Sequence, residues 1–347
     1  MTLLYADGFD QLAGLTTGQI NTYWNADGWY YIGSGTNMIF ATADGVFGGK
    51  ALYFDAPAIS GEWFRGFDPV TLSNSIIMGF RWTNLVNDVV ATNFLRLRQA
   101  ATTVIEFSQG DLGEVVISVA GTTYRSAVGL ITRFGTAYIQ IKYTLSTGHL
   151  VVKANGDTVI DIASAVFPAL TQIDNWGVRG GGTGTRLCQV DDVVIIRDDA
   201  VVPNDYLGNV RVRNRAVVSN GDTVMMSPVG AATNWEAVTS PNLEKASYVS
   251  TSAVGDFDLY GISSGPDSRN IYAVYLRVGA WQADATQLRV SSLVKTNSTV
   301  FESADQATQS SARLYNWSFG LNPDTGLNWT NSEVNLLQIG GKLAGSD

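Results

Sequence analysis

A single cysteine, Cys188, in 347 residues excludes an internal disulfide, so the fold needs no oxidising compartment and the thiol reads as buried and free. A single histidine, His149, removes histidine-based metal sites and leaves nucleophilic catalysis with one base. That base follows Gly148 in a turn, no Gly-x-Ser-x-Gly elbow accompanies it, and a solvated turn residue is expected. Eight prolines are too few for a collagen-like or proline-rich shaft. Lys and Arg number 22 against 31 Asp and Glu, a net charge of −9 with no basic block. Phosphate neutralisation needs clustered cations, so nucleic acid is not an expected partner. No stretch reaches the ~18 apolar residues of a membrane span, and residues 1–7 carry neither a basic segment nor a long apolar run. The expectation is a chain without signal peptide or membrane insertion, synthesised in a cytoplasm. Gly177 to Gly184 lacks the Lys-Ser/Thr of a phosphate cradle and precedes a strand, so it reads as a connection, and no cofactor is expected.

What the chain has is glycine, 36 residues of it, and aromatics at 11 %, spread among short alternating runs. Ile76-Met78-Phe80-Trp82 alternate with Ile77, Gly79 and Arg81, and Leu95 and Leu97 with Arg96 and Arg98, as in half-buried strands. Gly110-Asp111-Leu112-Gly113 separates two more strands. Asn155-Gly156 supplies the positive-φ pair of a type I′ hairpin between Leu150–Ala154 and Thr158–Ile162. Gln189 to Asp198 is apolar on both faces and reads as a central strand that closes a first domain. The acidic residues at its ends, Asp191 and Asp192 among them, read as solvated strand ends. Nothing in the first ~200 residues keeps a long 3.6-residue period, so Trp24, Trp29, Tyr30 and Tyr31 are placed in a loop. The length suits two domains: 1–199, a linker at 200–204, and 205–347. In the second, Val210/Val212 against Arg211/Arg213 read as a strand with a basic outer face, and Asn220-Gly221-Asp222 as a hairpin turn. Thr330-Asn331-Ser332-Glu333 reads as a capping box opening a terminal helix that stops at Gly340-Gly341.

The run from Ala137 to Ile162, with its Asn155-Gly156 hairpin, and the closing Asp191-Asp192-Val193-Val194-Ile195 resemble the concanavalin A-like, or laminin G-like, jelly rolls. The resemblance covers residues 1–199 and implies that the closing strand lies beside Leu3–Tyr5. The fold class expected is therefore all-β: a jelly-roll sandwich, then a second β-rich domain ending in a short helix. The segments 204–212, 234–238, 255–260 and 321–330 resemble a group of tailed-phage virion proteins. That resemblance implies a non-enzymatic structural component of a tail, fibre or capsid surface, located in the virion. It further implies other virion proteins as partners, a homotrimer, and contact with host-surface glycans.

For the sites, a retaining glycosidase of this fold class would show Glu-x-Asp-x-x-Glu on one strand. No such run occurs: Glu106 and Glu114 stand alone in sequence, Glu62 sits in a Gly61-Glu62-Trp63 loop, and Asp256/Asp258 lie in the second domain. No catalytic residue and no enzyme are expected. Calcium on Asp174/Asn175 or Asp191/Asp192 is disfavoured, because neighbours on a strand point to opposite faces unless a bulge intervenes. Trp24, Trp29, Tyr30, Tyr31 and Trp63 are the candidate glycan-binding residues; the competing reading is that these rings anchor loops to the core. A free lectin-like module is the alternative to the virion protein.

Overall fold

The structure is a computed structural model that describes residues 2–12, 15–33, 40–44, 50–55, 61–84, 93–132, 134–180, 187–198, 206–239, 243, 245–265, 270–283 and 288–346. The expected linker at 200–204 lies outside them. The chain forms two compact units, residues 1–17 with 29–213 and residues 18–28 with 214–347.

The first unit holds β1 (Thr2–Asp7), β2 (Trp29–Gly33), β3 (Phe40–Asp44), β4 (Lys50–Asp55), β5 (Gly61–Thr71), β6 (Ser75–Asn84), β7 (Asn93–Gln99) and β8 (Thr102–Gln109). It continues with β9 (Val115–Val119), β10 (Thr122–Arg125), β11 (Thr136–Thr144), β12 (His149–Ala154), β13 (Asp157–Ile162), β14 (Gln172–Gly180) and β15 (Leu187–Asp198). They build two antiparallel sheets. One runs β13-β12-β11-β6-β15-β4-β3 with β1 added on β15; the other runs β10-β9-β8-β7-β14-β5-β2. The expected sandwich is present, with β15 central and paired to β1. The hairpin turn is present too, with φ of 52° at Asn155 and 99° at Gly156. Alternation decides which residues face the partner sheet. Phe80 and Trp82 meet Phe107 across the core at 4.9 and 5.1 Å between ring centroids, and Trp82 Nε1 donates to Gln109 Oε1 at 2.8 Å. Tyr5, Trp29 and Trp176 pack together further along, all at most 3 % exposed. Each such ring taken from water contributes roughly 1.5–3 kcal/mol.

The sequence reading needs three corrections, the first two on the outer face of the eight-stranded sheet. Asp191 and Asp192 are not solvated strand ends: both are buried inside β15, where the register with β6 slips between Asp191 and Val194 and Asp192 takes φ of 51°. That bulge turns the Asp192 carboxylate onto Arg81, with Nε to Oδ2 at 3.0 Å. The segment read as a basic strand at 210–213 is not a strand but an extended strap over this face. The Val212 amide donates to Asp192 Oδ1 at 2.8 Å and Arg81 Nη2 donates to Asn209 Oδ1 at 2.8 Å. Tyr206 lies under the Lys153 ammonium, 3.9 Å from its ring centroid. The strap passes so close to Gly8 that a Cβ there would stand 2.6 Å from the Val212 carbonyl oxygen. Third, residues 17–26 are not a loop but a helix, α1 (Thr17–Ala26), which from residue 18 onward belongs to the second unit.

The second unit adds β16 (Val217–Val224), β17 (Ser227–Val229), α2 (Asn234–Val238), β18 (Tyr248–Ser250), β19 (Phe257–Ile262) and β20 (Val274–Ala280). After them come β21 (Leu288–Thr296), β22 (Thr299–Glu302), β23 (Gln306–Ala307), β24 (Arg313–Phe319), α3 (Asn331–Asn335) and β25 (Gln338–Ser346). Its main sheet runs β16-β19-β25-β21-β22 with β23 on β21. Asn220-Gly221-Asp222 is no hairpin but an irregularity within β16, whose register with β19 shifts between Asn220 and Val224. The core gathers Leu276, Val294, Phe319, Trp329 and Leu337. α1 joins this unit through Arg277 Nη1, which donates to Tyr23 Oη at 3.0 Å. The capping box is present: the Glu333 amide donates to Thr330 Oγ1 at 3.2 Å and the Thr330 amide to Glu333 Oε2 at 2.7 Å. The helix is shorter than expected, and Gly340-Gly341 lies inside β25.

Candidate functional site

The seven-stranded sheet turns a second face away from the core, and its side chains follow from the same alternation. Leu95, Leu97, Phe107, Trp176, Val178 and Trp63 point inward, which puts Arg96 and Arg98 (β7), Glu106 (β8), Gly177 and Arg179 (β14), Glu62 and Phe64 (β5) and Tyr30 (β2) outside. Register aligns them in rows. Gly177 stands opposite both Arg96 and Phe64, Glu106 opposite Arg96, and Tyr30 opposite Phe64. Glycine at 177 is required by contact: a Cβ would lie 2.2 Å from the Phe64 ring and 2.7 Å from the Trp63 carbonyl oxygen.

Two carboxylates that stand far apart in sequence meet here. Arg96 donates through Nη1 to Glu62 and through Nε to Glu106 Oε2 at 2.6 Å, and Arg179 Nε lies 3.5 Å from Glu62. Burial pulls the Arg96 guanidinium below its ordinary value, and Glu106 beside it pulls it back. Arg96 thus bridges the two carboxylates through charge-assisted hydrogen bonds that hold all three side chains in place. Next in the row, Arg98 lies over Phe64 with its guanidinium carbon 3.7 Å from the ring centroid, and Nη2 donates to the Ala101 carbonyl. Tyr30 stacks on the same Phe64 at 5.6 Å and is 43 % exposed.

The five aromatic candidates are therefore separated. Trp24 is on α1 in the second unit and is buried; Trp29 is buried between Tyr5 and Trp176; Trp63 is buried on the inner face. Tyr31 is on β2 opposite Trp63, and its side chain lies outside the described residues. Tyr30 alone among the four described rings reaches the surface. For Trp24, Trp29 and Trp63 packing is the role, because a ring with both faces covered cannot stack on a sugar. Glu62 is on a strand, not in a loop, and it and Glu106 do not stand alone. Sequence reading paired Phe64 with Trp63 as a second aromatic cluster but missed Arg96, Arg98 and Arg179 as site residues; the alternation Leu95-Arg96-Leu97-Arg98 signalled the face, but only strand order brings the row together.

The remaining candidates have structural partners. His149 Nε2 lies 2.8 Å from Asp161 Oδ1 on the exposed hairpin of β12 and β13. Cys188 is buried, which pushes its thiol well up. Asp174 accepts from the Ala100 amide, from Gln172 and from Asn175. At Asp191/Asp192 the bulge that calcium would require is present, but Arg81 supplies the cation. No group of three or more His, Cys, Asp or Glu that could hold a metal occurs among the described residues, and no described helix is long and apolar enough to cross a membrane.

No family model matches the chain, and no curated protein matches it in sequence. Solved structures similar to it include a sialidase at 10 % identity and TM-score 0.42, covering 76 % of this chain and 26 % of the sialidase. The globular domain of T. cruzi calreticulin matches at 10 % and 0.39, covering 56 % of this chain and 88 % of that domain. Alginate lyase A1-II′, a member of polysaccharide lyase family-7, matches at 12 % and 0.36, covering 47 % and 84 %. The chain thus spans about a quarter of the sialidase. These likenesses carry no activity across, but they correct one expectation. Enzymes stand among the similar structures, so the missing Glu-x-Asp-x-x-Glu strand does not exclude catalysis, and the non-enzyme reading is withdrawn. None of them bears on a phage origin.

Proposed function

We propose that the first unit is a glycan-binding β-sandwich whose ligand face is the outer face of the seven-stranded sheet. The observation that carries this is Tyr30, an exposed ring stacked on Phe64 beside the charged row Glu62, Arg96, Glu106 and Arg179. A sugar ring has an apolar C–H face and a rim of hydroxyls. The first stacks on an aromatic, and the second exchanges hydrogen bonds with carboxylates and guanidinium groups held in fixed positions. The ion pairs hold those side chains in place before binding, which reduces the ordering cost of association. The sequence resemblance of segments 204–212, 234–238, 255–260 and 321–330 to tailed-phage virion proteins supports placing this face on a particle, where glycan contact would serve attachment to a host surface.

A glycan array probed with the full chain and with Tyr30→Ala tests the reading. The variant is expected to bind the preferred glycan at least ~10-fold more weakly while losing about 1 kcal/mol of stability or less, the scale of one aromatic pair. An array with no binder, or equal binding by the variant, would sink the proposal.

A further inference from the structure

The chain enters the second unit twice. Between β1 and β2 it leaves the first unit for residues 18–28 and then returns, so α1 is packed in the second unit although strands of the first precede and follow it. On this helix Ile20, Tyr23, Trp24 and Ala26 are buried, each at most 6 % exposed. Polar contacts fix it to the two-stranded sheet of β20 and β24. Arg277 Nη1 donates to Tyr23 Oη at 3.0 Å, Arg313 Nη1 to the Asn25 carbonyl at 3.1 Å, and Asn316 Nδ2 to Asp27 Oδ1 at 3.5 Å. Arg277 and Asn316 stand opposite each other in that sheet. The helix closes with the Asp27 amide on the Tyr23 carbonyl at 2.9 Å and the Gly28 amide on the Asn25 carbonyl at 3.2 Å, and Gly28 turns the chain with φ of 81°. Strand β2 starts at the next residue. Its Trp29 is seated between Tyr5 and Trp176 in the first unit, and its Tyr30 stands on the proposed ligand face. Three peptide units, at most ~11 Å of chain, separate Asp27 from Tyr30.

We infer that α1 is a coupling latch: its seating on β20 and β24 and the binding of glycan at Tyr30 stabilise each other. Strand β2 has five residues and, among the described residues, pairs with β5 alone. Short edge strands with few partners open before the rest of a sheet. With α1 seated, the start of β2 is tied down at Asp27, and the Tyr30 ring is held where a sugar meets it. With α1 released, that tie is lost and β2 frays from its first residues. Ordering Tyr30 again then falls to the ligand, which weakens its binding. A ligand that prefers the seated state favours that state in turn, by the same factor. The inference rests on the glycan-binding reading and adds a route by which engagement of the first unit is felt in the second.

Hydrogen exchange of the full chain, with and without a saturating amount of the best-binding glycan of the array, tests one half of the coupling. Binding is expected to slow exchange at least ~5-fold at amides of α1, β20 and β24 as well as at β2 and β5. Calorimetric titration of variants tests the other half. Arg277→Met and Arg313→Gln, both in the second unit, are each expected to weaken glycan binding ~3- to 10-fold. Tyr23→Phe removes only the hydroxyl that accepts from Arg277; it is expected to weaken binding about 2- to 3-fold, and it carries the test should the arginine variants fail to fold. Leu259→Ala is the control for mere destabilisation, a buried leucine of β19 whose loss should lower the melting temperature and leave glycan affinity unchanged. Protection confined to the first unit, or seat variants that bind as the parent does, overturns the latch and leaves the glycan reading standing. Equal weakening by Leu259→Ala also overturns it, because any loosening of the second unit would then suffice. Protection confined to residues 214–347, or a chain that binds no glycan, removes both.

Discussion

On the outer face of the eight-stranded sheet, Arg81 ends on Asp192 and Asn209 under a strap of chain; on the outer face of the seven-stranded sheet, Arg98 ends on a single carbonyl. Both arginines are about equally buried, at 4 and 5 % exposed. The first donates to Asp192 and Asn209, the Val212 amide donates to the other oxygen of Asp192, and that face is covered. The second keeps two donors unmatched beside an exposed tyrosine. Burial alone does not separate structural from functional charge. The balance of partners around each group does.

The comparison can be broken at either face. The largest expected effect is from Arg81→Met, which leaves the Asp192 carboxylate buried without its cation. Chemical denaturation should show a loss of about 3–5 kcal/mol, with the strap at 206–213 becoming susceptible to proteolysis. A loss below ~1 kcal/mol would show that the strap does not depend on this pair. On the open face, Gly177→Ala drives a methyl into the Phe64 ring and should lower stability by about 1–3 kcal/mol and weaken glycan binding together. Unchanged binding in a folded variant would move the ligand off this row.

The smallest effect per step is a pH slope. Burial, with the neighbouring Asp192, pushes the Asp191 carboxyl from 3.8 up to about 8; the Asp192 amide, donating to Asp191 Oδ1, opposes this, and so does Arg81, while Asp10 adds to it. Below about pH 4 Asp191 is protonated in both the folded and the unfolded chain. Between about 4 and 8 only the folded chain holds the proton, so stability falls as pH rises, by at most ~1.4 kcal/mol per pH unit for one proton, and levels off above 8. Asp191→Asn should remove that part of the slope; equal slopes in parent and variant would mean that Asp191 is ionised in the fold.

What was legible in the sequence was what local chemistry determines. Asn155-Gly156 needs positive φ at two successive residues and so announces its own turn. Thr330 and Glu333 cap each other across three residues, and the two-sided apolar run of β15 can only be central. What was illegible depends on residues remote in the chain. The bulge at Asp191 and Asp192 makes sense once Arg81, 111 residues away from Asp192, is set beside it. The ion row needs β5, β7, β8 and β14 in their sheet order before Glu62 and Glu106 meet on one guanidinium. The aromatic cluster at 24–31 read as one loop because helix and strand each contribute too few residues there to show a period. The chain divides it, with Trp24 on α1 and Trp29 and Tyr30 on β2.

The most direct test of the central claim, that the seven-stranded face is the ligand face, is amide chemical-shift mapping of the full chain titrated with the best-binding glycan of the array. The account predicts shifts concentrated at Tyr30, Phe64, Arg96, Arg98 and Gly177. Shifts confined to the strap at 206–213 or to residues 214–347, or no glycan that shifts any amide, would contradict it.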